Sequence, residues 1–296
     1  MRLGLEQLEP RRMMTAKPIG IQTYYQPASS YDQIKSTEAY FRYDWSQIEK
    51  SPGMYNFSGM DWDYQHARAA GQQFNFRIMP YEEGNSGPTG LTSLGGSWFR
   101  FEGSWTFQPN LNLPAVKADL DKLLKALGAR YAAGTATVDI GWWGPWGEWS
   151  NYAIDVMPPR PTTATTQYLV AETQKYFYNS YAIVQEGVAT DDPTTFRMEL
   201  QMGCGVRWDS WYCKNAWLEN EHKASLSMIA ATQQWKIAPM ILEPWDTNAW
   251  GYSDWQNAIN QAMYTYHAWM FSTKGNWIPS YAVPWVNQLL SQERLL

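Results

Sequence analysis

The chain has 296 residues, 45% of them hydrophobic and 17% charged, with a formal charge of −5. At this length about three quarters of the unfolded surface can be buried, so the composition excludes a mainly disordered chain and needs neither disulfides nor metal to hold a core. With 23 Lys and Arg against 28 Asp and Glu and no dense basic run, it also lacks the phosphate-neutralising surface that nucleic-acid binding requires.

No stretch approaches 18 consecutive apolar residues, so no membrane span is expected and the protein reads as water-soluble. Aromatic residues reach 16%, with 18 Trp and 19 Tyr. Each indole carries an N–H that wants a partner, which places many of them at half-wet positions, where flat amphipathic ligands such as sugar rings pack well. At least half of these rings are expected in the core.

Residues 1–17 are expected to form a leader or tail outside the folded unit, and residues 18–296 a single domain. From Ile19 onward, short β-type runs alternate with longer helical periods, the pattern of a parallel sheet with crossover helices. The expected strands are Ile19–Tyr24, Ala39–Tyr43, Gln73–Met79, Thr137–Gly141, Phe196–Gln201, Cys204–Trp208, Ala238–Leu242 and Trp269–Ser272. The expected helices are Met60–Ala70, Leu113–Tyr131, Thr165–Tyr181, Glu219–Gln234, Ser253–His267 and Val283–Leu290. Eight strands alternating with helices give a single (β/α)8 TIM barrel, whose chemistry sits at the strand C-termini. Strands five and six fit least well, since only Met202 and Gly203 separate them and leave no room for a helix. The Gly- and aromatic-rich residues 82–112 form a long loop on the active face.

Two glutamates carry the candidate chemistry. Glu148 lies in Trp-Trp-Gly-Pro-Trp-Gly-Glu-Trp after strand four, and indole neighbours would make its carboxyl hold a proton to higher pH, as a general acid must. Glu243 ends the apolar run Met-Ile-Leu before Pro-Trp-Asp, so a buried strand stops at a charged residue on the rim. Two carboxyl groups roughly 5 to 5.5 Å apart are the equipment of a retaining glycosidase. The plainer alternatives are a Glu in a surface turn for Glu148 and a structural ion pair for Glu243.

Arg42, and after it Arg77, could face inward and keep a nucleophilic carboxylate ionised. Among the rim tryptophans, Trp146, Trp149 and Trp245 are expected to touch ligand, and Asp209 to hold a sugar hydroxyl; Asp44, Glu82, Arg207 and Asp246 are weaker candidates for the same task. His66, His222 and His267 have no metal-ligand spacing, and no nucleophile elbow, phosphate-binding loop or dinucleotide fingerprint occurs, so neither metal nor cofactor is expected. Cys204 and Cys213 would bridge in an oxidising compartment and stay reduced elsewhere.

The segment from Phe41 to Phe57 contains Trp45, Glu49, Gly53, Tyr55 and Phe57 and is followed by Asp61. It resembles the W-x-x-x-E-x-x-x-G-x-Y-x-[FW] stretch of clan A glycoside hydrolases, family 42 beta-galactosidases and their relatives among them. That resemblance implies an acid/base at Glu148 closing strand four, a nucleophile at Glu243 closing strand seven, and a supporting Arg42 on strand two. It departs from the clan at Gly147, where most members carry an Asn that holds the sugar 2-hydroxyl. Gly-Pro-Trp-Gly-Glu-Trp, with Arg77, Arg207 and Asp209, looks more specifically like a group of bacterial barrel proteins. Leu5, Glu6, Leu8, Glu9, Pro10 and Arg11 resemble a short N-terminal signature of exported bacterial proteins, which favours export or the cell surface over the cytoplasm.

The reading that follows is a metal-independent retaining glycoside hydrolase acting on an oligo- or polysaccharide. A non-catalytic carbohydrate-binding barrel, kept open by Gly147, and a sugar-acid isomerase or lyase are the competing readings. Oligomeric state stays open.

Overall fold

The computed structural model describes residues 20–25, 36–150, 154–212, 216–244, 247–272 and 278–291. Its centre is a closed barrel of eight parallel strands, each paired with its neighbours in chain order. They are β1 (Gly20–Tyr24), β2 (Glu38–Asp44), β3 (Gln73–Met79), β4 (Thr135–Asp139), β5 (Tyr181–Gln185), β6 (Gly205–Trp211), β7 (Met240–Pro244) and β8 (Met270–Ser272). Around it run α1 (Ser58–Ala69), α2 (Pro114–Tyr131), α3 (Thr163–Tyr176), α4 (Pro193–Gln201), α5 (Ala216–Thr232), α6 (Tyr252–Tyr264) and α7 (Val283–Leu290). The (β/α)8 barrel expected from the alternation is present. Among the described residues no helix is long and apolar enough to cross a membrane.

One strand expectation is corrected. Phe196–Gln201 is part of α4, and the fifth strand is Tyr181–Gln185, a run assigned in sequence to loop and helix end. The alternation Phe-x-Met-x-Leu reads as a strand, but Asp192 caps a helix there, its side chain accepting from the Thr195 N–H, and Pro193 occupies the first turn. With α4 between β5 and β6, the missing crossover helix is supplied. The helix before β5 therefore ends at Tyr176 rather than Tyr181.

Inward and outward residues alternate along the strands, and β6 breaks the alternation at a register shift between Trp208 and Trp211. Outward Phe41, Phe74, Phe76, Val138 and Val184 pack against a helix layer that includes Leu120, Leu123, Leu124 and Leu127 of α2. Inside, the floor is apolar, with Ile183, Ile241, Trp269 and Met270 forming a separate small cluster. Above it Asn75 donates from Nδ2 to Glu38 and accepts from the Thr137 N–H. The top layer is charged and forms the candidate site.

The motif at Trp45–Tyr55 has a local structural task. Trp45 Nε1 donates to Glu49 Oε2 at 2.9 Å and the Gly53 N–H donates to Glu49 Oε1 at 2.8 Å, closing the small hairpin Glu49–Ser51/Met54–Tyr55. Gly53 has φ +74, a conformation that favours glycine.

Residues 82–112 also carry structure: a 3₁₀ turn at Thr89–Leu94 and an antiparallel hairpin, Gly96–Phe101 with Ser104–Pro109. Cys204 is buried at the foot of β6; Cys213, its expected partner, lies outside the described residues.

Candidate active site at the barrel mouth

Five strands deliver ionised side chains to one place. Arg42 comes from β2, Arg77 from β3, Asp139 from β4, Arg207 and Asp209 from β6, and Glu243 from β7. Arg42, Arg77 and Asp139 stand in register across three neighbouring strands, and Arg207 stands beside Gln185 of β5.

Arg42 bridges the two candidate glutamates. Its Nη2 donates to Glu243 Oε1 at 2.6 Å and its Nη1 to Glu148 Oε1 at 3.0 Å. Arg207 Nη1 reaches Glu243 Oε2 at 3.2 Å, so both oxygens of Glu243 are held by guanidinium groups. Arg77 Nη1 donates to Glu148 Oε1 at 3.2 Å and to the Trp146 carbonyl at 3.0 Å.

Beneath them Asp139 accepts from Arg77, from Arg207 and from the Tyr40 hydroxyl, with Arg207 Nε at 2.7 Å and Tyr40 at 2.8 Å. Three guanidinium groups thus meet three carboxylates, which offsets the cost of removing all six charges from water. Burial works against the charge of Arg42, yet Glu243 and the other anionic neighbours lift its pKa well above the usual guanidinium value. For Arg207 burial again opposes charge, and Asp139, Tyr40 and Glu243 together outweigh it, so its pKa is also raised.

One carboxylate oxygen from each of Glu148, Asp209 and Glu243 lies within 4.8 Å of the other two. That spacing suits a cation, but Arg42, Arg77 and Arg207 already present their charges to Glu148 and Glu243. Asp209 is anchored through its backbone: its N–H donates to both oxygens of Glu186, and its carbonyl lies 3.2 Å from His222 Nε2. Glu186 is pushed up by burial, against the hydrogen bond from His222.

Glu148 arrives differently from what the resemblance implies. β4 ends at Asp139, and Glu148 is returned to the mouth by a contorted loop nine residues on. Gly144, Trp146, Gly147 and Trp149 all have positive φ, and for the two tryptophans that is a costly conformation held by the surrounding contacts. At Gly147 a Cβ would stand 2.5 Å from the Gly141 carbonyl oxygen, at φ +68. A side chain at 147, such as the Asn that the resemblance implies, fits this backbone only if the loop shifts. The Glu148 carboxylate also has neighbours that its own segment does not supply, since two arginines donate to Oε1.

The aromatic rim is mostly wall. Trp142, Trp143, Trp149, Trp208 and Trp211 are buried. Trp149, expected to touch ligand, packs on Trp143 and donates its indole N–H to the Ile140 carbonyl, so it holds the loop in place. Trp146 is half-buried, edge-on to Phe101 at 5.5 Å. Trp245 and Asp246 lie outside the described residues.

Sequence reasoning found Glu148, Glu243, Arg42, Arg77, Arg207 and Asp209, and the structure brings all six together. It missed Asp139, Tyr40, Gln22 and Glu186. The signal for Asp139 was present: an acidic residue two places before Gly141, in phase with Thr137 on the inner face. Gln22 on β1 accepts from Arg207 Nη1 at 3.0 Å. Gln185 on β5 and Ser272 on β8 are buried, and neither the Gln185 amide atoms nor the Ser272 hydroxyl has a hydrogen-bond partner among the described residues.

Comparison with known proteins gives likeness of fold. The chain is similar to the catalytic core of xylanase A (TM-score 0.55, 10% identity, covering 93% of this chain and 98% of that one). Native xylanase 10B from Thermotoga maritima gives a TM-score of 0.56 at 8% identity, covering 93% and 95%. PbGH5A, a glycoside hydrolase family 5 enzyme from Prevotella bryantii B14, gives 0.54 at 10%, covering 92% and 96%. No family model matches the chain, and no curated protein matches its sequence.

Proposed function

We propose that the protein is a retaining glycoside hydrolase that cleaves β-glycosidic bonds of an oligo- or polysaccharide without a metal. The observation that carries this reading is the approach of a Glu148 carboxylate oxygen to one of Glu243 within 4.8 Å at the C-terminal end of a (β/α)8 barrel. That nearest-oxygen approach supports the short separation, roughly 5 to 5.5 Å between carboxyl groups, of enzymes in which the second carboxylate attacks directly, over the roughly 6.5 to 9.5 Å with which inverting enzymes leave room for a water. The fold shared with two proteins described as xylanases and one described as a family 5 glycoside hydrolase lends support in kind.

In the first step Glu243 attacks the anomeric carbon, and the C–O bond to the leaving group breaks as Glu148 gives its proton to the departing oxygen. In the second, Glu148 takes a proton from water, which attacks the same carbon and releases Glu243. Arg42 and Arg207 hold the nucleophile charged and aimed, and Oε2, on the longer of its two arginine contacts, is the attacking atom. Because Arg42 and Arg77 both donate to Glu148 Oε1, the exchanged proton is carried by Oε2. Gln185 and Ser272 have the donor and acceptor capacity to hold sugar hydroxyls.

Glu243→Gly is expected to abolish hydrolysis of an activated aryl glycoside, and azide to restore turnover as a glycosyl azide of inverted anomeric configuration. Wild-type-like turnover in that variant removes the nucleophile assignment. A second reading, a carbohydrate-binding barrel that breaks no bond, draws on the complete burial of Glu243 and the closed backbone at Gly147. It predicts no turnover of any aryl glycoside or polysaccharide by the wild-type chain.

A further inference from the structure

We propose that the hairpin Gly96–Phe101/Ser104–Pro109 is a second carbohydrate-binding site, a surface platform for an extended oligo- or polysaccharide chain outside the barrel mouth. Its register pairs Trp98 with Phe107 and Arg100 with Trp105, so Trp98, Arg100 and Trp105 share one face while Phe99 and Phe101 lie on the other. Phe107, opposite Trp98 on the first face, is buried in the main core, but the rest of the two faces differ in fate.

Phe99 and Phe101 are buried against Tyr81, with Trp146 and Ile154 packed alongside. On the same side Gln108 Nε2 donates to the Trp142 carbonyl at 3.2 Å, and its Oε1 accepts from the Gly144 N–H at 3.4 Å. This face clamps the loop that carries Glu148. On the other face Trp98 is 50% exposed and Trp105 58% exposed, although most of the chain's tryptophans with a described burial are covered.

The platform is rigid. Its two-residue turn, Glu102 at φ 49 and Gly103 at φ 81, is of the type that matches strand twist. The Arg100 guanidinium stands 5.2 Å from the centre of the Trp105 ring, and its Nη1 donates to the Gly103 carbonyl at 3.2 Å. The Arg100 backbone is tied to Asp155, whose carboxylate accepts from its N–H at 2.9 Å. Arg100 therefore has little side-chain freedom left to lose on binding.

Trp98 and Trp105 are diagonal neighbours across an antiparallel pair, about 7 to 8 Å apart at the backbone. Two exposed indoles at that spacing, with the Arg100 guanidinium over Trp105 carrying further N–H groups that can donate to hydroxyls, suit consecutive or near-consecutive sugar rings. Two half-exposed indoles present on the order of 250 Å². A stable protein partner needs about 800 Å² a side, so the patch is too small for one yet sufficient for a saccharide. The choice of ligand rests on the glycosidase reading; the platform's existence as a binding face is measured separately from turnover.

The test is affinity electrophoresis of the full chain in native gels cast with soluble β-1,4-xylan or with hydroxyethyl cellulose, in a Glu243→Gln background so that the gel is not digested. At least one polymer is expected to retard the protein. The double variant Trp98→Ala/Trp105→Ala is expected to weaken retardation at least fivefold, Trp98→Phe/Trp105→Phe to retain most of it, and Trp62→Ala, which removes a 56% exposed indole on α1, to leave it unchanged. Equal retardation of the double alanine variant and its parent overturns the platform, as does absence of retardation by either polymer. Loss of self-association in the double variant, read by sedimentation, overturns it in favour of a protein contact. Because the assay reads binding alone, a chain that hydrolyses no glycoside can still pass it.

Discussion

At the barrel mouth Asp139, Glu148 and Glu243 are compensated by Arg42, Arg77 and Arg207, whereas near the start of the β2–α1 connection Glu49 and Asp119 lie against each other with no guanidinium between them. Both groups are buried, and both must avoid leaving bare charge in a poorly solvating interior. The mouth does so with permanent cations. The pair does so with a proton, and burial, helped by the neighbouring Asp119, pushes Glu49 up to about 7 despite its bonds from Trp45 and Gly53. In the proposed mechanism Glu243 must stay ionised to attack, and the first arrangement serves that need; a structural staple can use the second.

The strongest way to break the contrast is Asp139→Ala. It leaves Arg77 and Arg207 buried with their shared counter-ion removed, a change that costs about 3–5 kcal/mol for buried pairs. The midpoint of urea unfolding should fall accordingly, and a loss below about 1 kcal/mol would show that the cations are compensated elsewhere. Asp139→Asn, which keeps the shape and one acceptor, should fall between.

Gly147→Ala comes next. The new Cβ meets the Gly141 carbonyl at 2.5 Å in a left-handed conformation, for about 1–3 kcal/mol of destabilisation. This separates the two glutamates: Glu243 is fixed by a strand and Glu148 by a loop with four positive-φ residues, so aryl-glycoside turnover should fall more in this variant than its stability does. Stability and activity equal to wild type would mean that the loop relaxes around a side chain at 147.

Much of this was legible before any coordinates. Glu243 announced itself because an apolar run ended in Glu-Pro, and the barrel because strands and helices alternate. β5 was not legible: Tyr-Ala-Ile-Val-Gln follows a helical period without a breaker, while Phe-Arg-Met-Glu-Leu imitates strand alternation inside a helix whose Asp-Pro start was the overlooked cue. That two arginines reach Glu148 was not legible for a different reason. They come from 71 and 106 positions off, and only the closed barrel brings them to this loop.

A smaller effect tests the proton-sharing side. The folded-state value of Glu49 is raised above its usual 4.5, so its contribution to stability is complete below that value and is lost as pH rises through about 7. The slope is at most about 1.4 kcal/mol per pH unit for one proton. Glu49→Gln should flatten the fall in urea stability between pH 5 and pH 8, from a level lowered by about 1–3 kcal/mol because its amide nitrogen cannot accept one of the bonds from Trp45 and Gly53; an unaltered slope would show that the proton is not shared there.

The smallest expected effect concerns Trp149. Its indole N–H is the partner of the Ile140 carbonyl just beyond the end of β4, and its ring backs Trp143, so it fastens the two ends of the Glu148 loop to each other. Trp149→Phe keeps most of the buried ring and deletes the donor, leaving a buried carbonyl short of a bond, for about 1–2 kcal/mol. If the ring is wall, that loss appears in unfolding while the KM for an aryl glycoside stays near wild type and kcat falls modestly as Glu148 loosens. A rise in KM at constant kcat would instead make Trp149 a ligand-contacting ring, returning at least part of the indole cluster to the substrate and placing the cleft deeper in the wall than the burial of these tryptophans implies.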